Sequence, residues 1–139
     1  MPAFKILPHT ADVRLQVTGL TLEELFRSAL KGMGHLQKKD FCEEEKTEFS
    51  IEEKIKVRST DQTSLLIDFL SEALTSSHIN KVIYCQASFD KLSATEVSAT
   101  IKGDRVDYFE EDIKAVTYHE AEIIENEDLQ LETVVIFDI

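Results

Sequence analysis

The chain has 139 residues, 15 Lys+Arg against 27 Asp+Glu, and a formal net charge of −12. At that length a single domain covering 1–139 is expected, large enough to bury roughly two-thirds of the surface its unfolded chain exposes. The acidity argues against direct, high-affinity RNA or DNA binding, which rests on basic groups displacing counterions; no apolar run approaches the roughly 18 residues of a membrane span.

Phe4–Leu7 and Val13–Val17 read as two short strands around the turn "PHTAD". In the second, Val13, Leu15 and Val17 alternate with Arg14 and Gln16, the pattern of a half-buried strand. Thr21 and Glu24 then form a capping box ahead of Leu22, Leu25, Phe26, Ala29, Leu30 and Met33 at helical spacing, which predicts a helix from about 22 to 35. Gly32 and Gly34 are expected to loosen its end, and the charged segment Lys38–Lys46 to form a solvated loop. Phe49, Ile51, Ile55 and Val57 mark a long strand with one polar face. A second helix follows, capped by Asp61 or a neighbouring hydroxyl, with Leu65, Leu66, Phe69, Leu70, Ala73 and Leu74 as its apolar stripe.

From about residue 81 the pattern is strands only: "KVIYCQASF", "ATEVSATIK", "DIKAVTYHEAEII" and "LETVVIFDI", with "ENEDLQ" joining the last two as a hairpin. The final strand is apolar on both faces, which predicts a central position. Two amphipathic helices packed on mainly antiparallel sheet, an α+β architecture, follow from this order.

The N-terminus lacks a basic-then-apolar signal peptide, so a cytoplasmic setting is expected. There, Cys42 and Cys85, which fit no CxxC spacing, are expected to be free thiols. Four glycines cannot build a nucleotide-binding glycine loop, and no GxSxG, HExxH or Cys/His zinc pattern occurs. His35 and His78 fall at helix ends, where they suit the helix dipole. A metal ion or a basic protein surface is the natural partner of so acidic a chain, although acidity also serves solubility alone.

Three polar features have both a local and a functional reading. Asp12 stands at the mouth of the second strand with His9 just upstream, and turn chemistry explains it as readily as a site does. Asp68 lies roughly opposite the apolar stripe of its helix, where a solvent-facing carboxylate is the default and a site residue the alternative. Asp138 and Ile139 end an apolar strand without a polar tail, which fixes an α-carboxylate beside a carboxylate side chain. Paired anionic oxygens suit a hard cation such as Ca²⁺ or Mg²⁺. Lys114 reads as a surface cation, on the opposite face of its strand from His119.

The ordered blocks "HTADVRL", "TLEELFRSAL", "SLLIDFLSEAL", "IKAVTYHE" and "FDI" resemble the archease family over essentially the whole chain. That resemblance implies an α+β fold in which one strand-helix-strand-strand unit is inserted into another. It implies a divalent metal, usually calcium with Mg²⁺ or Mn²⁺ as alternatives, held by Asp12, Asp138 and the carboxylate of Ile139. It further implies a non-catalytic accessory role toward an RtcB-type RNA ligase in tRNA splicing and RNA repair, promoting guanylylation of the ligase and its multiple turnover. His9, Lys114 and Asp68 would support that activity, His9 by orienting the turn and Lys114 by contacting phosphate or partner. Competing readings are a general chaperone or modulator of nucleic-acid-processing proteins and a metal-dependent phosphoesterase. Family members often carry a longer segment where "RVDYFEE" is short and acidic here, directly before Asp112.

Overall fold

The computed structural model describes residues 3–7, 12–43, 48–117 and 122–139. Chain order runs β1 (Phe4–Leu7), β2 (Asp12–Gly19), α1 (Leu22–Gln37), β3 (Ile51–Arg58), α2 (Gln62–Asn80), β4 (Val82–Leu92), β5 (Glu96–Arg105), β6 (Ala115–Thr117), β7 (Ile124–Glu125) and β8 (Leu131–Asp138). The strands make two antiparallel sheets. One is ordered β1-β2-β8-β6, with β7 also pairing with β8; the other is β3-β5-β4. The contiguous unit β3-α2-β4-β5 thus builds its own sheet, inserted between the strands of the first.

The helix ends form as the sequence dictates. The Thr21 side chain accepts from the Glu24 N–H at 3.2 Å, and Glu24 reaches back to accept from the Leu20 N–H at 2.7 Å, satisfying donors that the first turn leaves open. Asp61 caps α2 by accepting from the Ser64 N–H at 2.8 Å. His35 and His78 do lie in the last turns of their helices.

Both helices touch both sheets, α1 on β2 and β4, α2 on β3 and β6. The predicted stripes fill the space between. Leu25, Phe26, Ala29, Leu30 and Met33 of α1 and Leu65, Leu66, Phe69, Leu70 and Ala73 of α2 are buried. The rings of Phe26, Phe69 and Phe89 stand 5.4 to 6.2 Å apart and tie α1, α2 and β4 together.

Four expectations change. Gly32 and Gly34 lie inside α1 rather than loosening it, and both are packing positions. A Cβ on Gly32 would come within 2.5 Å of a Leu15 methyl, and one on Gly34 within 2.8 Å of Cys42 Sγ. Cys42 and Cys85 are not free thiols but a disulfide, with Cα atoms 5.3 Å apart. Their 43-residue separation hides the proximity: Cys42 folds back from the end of α1 onto Ile83 and Val106 in a small satellite core. The segment after α1 is therefore pinned where its charge suggested a solvated loop. Finally, "DIKAVTYHEAEII" is not one strand. It supplies β6 and β7 along the same edge of β8, and between them the Ile123 N–H leaves the ladder to donate to Thr63 Oγ1 on α2. With β2 on its other edge, β8 is central, as its two apolar faces predict. No helix among the described residues is long and apolar enough to cross a membrane.

Candidate functional site

Strand register decides what the end of the first sheet can do. β2 and β8 pair antiparallel so that Asp12 is directly opposite Asp138, and Val13 opposite Phe137. Val13, Leu15 and Val17 turn inward, so by alternation Asp12, Arg14 and Gln16 share the outer face. Phe137 and Val135 are likewise buried while Asp138 is exposed. The two carboxylates therefore project from the same face at the same level. Directly opposed Cβ atoms in an antiparallel pair lie about 4.5–5.5 Å apart, a distance at which like charges repel.

The neighbouring strand closes this end. Ala115, a small residue, is opposite Asp138 on its other side. The Lys114 N–H donates to the Asp138 carbonyl at 2.7 Å, extending the ladder by one bond and holding Asp138 in line. Ile139 packs its side chain against the main core, which anchors the backbone just beyond Asp138. Opposed carboxylates, with Arg14 on the same face, repel one another; two or more oxygen donors on a rigid strand end are what a hard divalent cation uses. The residues present fit such an ion.

Of the residues singled out in the sequence, the structure gathers Asp12, Asp138, Ile139 and Lys114 at one sheet end. His9 and His119 lie outside the described residues. Asp68 does not belong to this cross-strand register. It sits half-buried on α2 and accepts a hydrogen bond from the Ser59 hydroxyl at 2.5 Å, which ties the start of α2 to the end of β3 rather than leaving the carboxylate in solvent. Sequence reasoning missed Ala115, since a small residue acquires meaning only once its neighbour across the strand is known. Among the described residues His35, Asp40 and Glu43 also bring ligand atoms within 4.8 Å of one another. Local turn chemistry accounts for that group, because His35 Nδ1 already accepts from the Asp40 N–H at 3.3 Å.

An α+β molecule in which a strand-helix-strand-strand unit is inserted into a second sheet, with opposed acids on that sheet's end, defines a narrow class. Residues 4–139 match the model of the Archease protein family (MTH1598/TM1083). The chain is 33% identical to an archease-like protein of Caenorhabditis briggsae, over 98% of this chain and 89% of that one. It is 30% identical to the archease of Methanosarcina barkeri, over 90% and 88% of the two chains. The solution structure of Methanobacterium thermoautotrophicum protein 1598 superposes with a TM-score of 0.79 at 27% identity, covering all of both chains. The crystal structure of a Thermotoga maritima archease, described as a possible chaperone, shares the fold with a TM-score of 0.62 at 22% identity, over 97% and 96% of the chains. The chain belongs to the archease family.

Proposed function

We propose that this protein is a non-catalytic accessory factor that activates an RtcB-type RNA ligase, with the Asp12/Asp138 end of the first sheet as its working surface. The observation that carries this reading is the register that sets Asp12 directly across from Asp138. Asp12, Asp138 and the α-carboxylate of Ile139 would hold a divalent cation, most naturally Ca²⁺, which supplies a fixed positive charge able to orient phosphate or carboxylate groups of a partner. The chain's own part is positioning. The β2–β8 ladder sets the separation of the two acids, Lys114 fixes the Asp138 carbonyl through its N–H, and the Ile139 side chain anchors the end.

A net charge of −12 supports docking on a basic protein surface, because complementary potentials speed and orient encounter. A ligase site that attracts RNA and nucleotide presents such a surface. Preorganised charge delivered there would assist guanylylation without this chain providing a reacting group. Asp68, held by Ser59, acts in this scheme through the α2 scaffold.

The test is ligase guanylylation and multiple turnover with the wild type, Asp12→Ala and Asp138→Ala. Both variants are expected to lose most of the stimulation while remaining folded; undiminished stimulation by both overturns the reading. A general chaperone role would instead leave these variants active and extend to unrelated clients.

A further inference from the structure

The second sheet buries one face against the helices and leaves the other open, and this open face sets Lys54, Lys56, Arg58, Lys91 and Lys102 against Glu52, Asp90, Glu96 and Asp104, a slight cationic excess on a strongly acidic chain. Along β5 the inward residues Val97, Ala99 and Ile101 are buried, whereas Glu96, Ser98, Thr100 and Lys102 look outward. Register places Lys54 opposite Thr100, Lys56 opposite Ser98 and Arg58 opposite Glu96 from β3. From β4 it places Ser88 opposite Thr100 and Lys91 opposite Ser98. Lys54, Lys56, Arg58 and Lys91 thus share one surface, where Glu52 pairs with Lys102 at 3.5 Å and Asp104 accepts from Ser50. Glu96 is already occupied, with Arg58 donating to it at 2.5 Å and Lys91 forming an ion pair with it. Between them lies a shallow depression of about 380 Å³ lined by Lys56, Arg58, Asp90, Lys91, Glu96 and Ser98.

We infer that this face binds the sugar-phosphate backbone of single-stranded RNA. Lysine, arginine and hydroxyl donors are the groups that hold phosphate oxygens without reading sequence. Ser88, Ser98 and Thr100 form a hydroxyl floor flanked by cations, and among the described residues of β3, β4 and β5 no aromatic side chain faces outward to stack a base. Val57 and Val97 also line the depression, but both stand at inward-facing positions of their strands, so the outward side chains are polar. Lys54 and Lys56 lie roughly 6.8 Å apart along β3, and the three strands span about 10 Å, a patch that meets one nucleic-acid backbone at a time. The acids of the rest of the surface are screened beyond about 8 Å at physiological salt. Local sign therefore governs a strand lying on this face, while the net charge keeps affinity low and strongly salt-dependent.

This inference does not use the acidic end of the first sheet, and its test contains no ligase, so either reading can fail alone. Anisotropy of a short fluorescein-labelled oligouridylate is measured against the full chain at low salt. Binding is expected, weakening roughly tenfold between about 50 and 200 mM salt. Lys54→Glu/Lys56→Glu is expected to lose at least about tenfold in affinity, and Lys54→Gln/Lys56→Gln a smaller factor, as each removed phosphate contact lowers the salt slope. Lys5→Glu/Lys39→Glu, with the same change in net charge at other exposed positions, is expected to bind as the wild type does. Circular dichroism melting confirms that all variants are folded. Absence of binding by the wild type, equal loss in both Glu variants, or displacement of the RNA by polyglutamate as readily as by unlabelled oligouridylate each overturns the inference, the last in favour of an acidic protein segment.

Discussion

Asp12 and Asp138 hold like charges across a strand pair, and like charges directly opposed on a sheet destabilise it. Relief of that repulsion should make metal-free Asp138→Asn more stable than the wild type by about 0.2–1 kcal/mol. Calcium should raise the unfolding temperature of the wild type, since only the native state brings the two acids together, and the same change should abolish that rise. Calorimetry of both proteins with calcium and with chelator checks this; a wild type indifferent to calcium would count against the metal site. Glu96 makes the complementary case. Hydrogen bonds from Lys91 and Arg58 pull its carboxyl from an ordinary 4.5 down to about 2. A carboxylate with a lowered native pKa contributes stability above its unfolded value and loses that contribution as pH falls toward the native one. Glu96→Gln should therefore flatten the acid limb of the stability curve between about pH 4.5 and 2. NMR titration of the Glu96 carboxyl should find its midpoint near the lower end.

At the scale of the element, α1 shows what local pattern determines and what it leaves open. Its capping box and apolar stripe are legible in the residues from Thr21 to Met33, because capping and helical periodicity act within one or two turns. Gly34 is not legible. A helix-interior glycine ordinarily costs stability relative to alanine, but here Cys42 Sγ occupies the space that a Cβ would need. Gly34→Ala should destabilise by roughly 1–3 kcal/mol, the usual cost of overpacking a filled site, against a gain for an ordinary helix glycine; urea unfolding reads the sign. The break between β6 and β7 was hidden for a related reason, since the apolar alternation runs through it and the diverted Ile123 N–H finds its acceptor, Thr63, on α2. The candidate site was half legible. Asp12 and Asp138 each stood out at a strand end, but pairing them required the family's pattern, because register across the whole chain length is not written in either strand alone. The face of the second sheet escaped for a related reason: the cations of β3, Lys54, Lys56 and Arg58, are legible in its sequence, but that β4 and β5 continue their face with hydroxyls is not.

The molecule as a whole is stapled as well as packed. The Cys42–Cys85 bond closes a loop spanning 43 residues of sequence, and loop entropy alone would assign it about 4 kcal/mol. Reduction, or Cys42→Ser, should therefore lower the unfolding temperature by roughly 10–20 °C, with the end of α1 and the start of β4 losing amide protection first; hydrogen exchange with and without reductant resolves this. The inserted topology has a different consequence. The β3-α2-β4-β5 unit is contiguous and completes its sheet from its own strands, whereas β2 must wait for β8, the last strand in the chain. A ribosome-bound or truncated copy carries Asp12 without its opposite acid. The acid pair is thus assembled only when β8 docks on β2, so a copy truncated before β8 should fail to bind calcium even where its second sheet is intact.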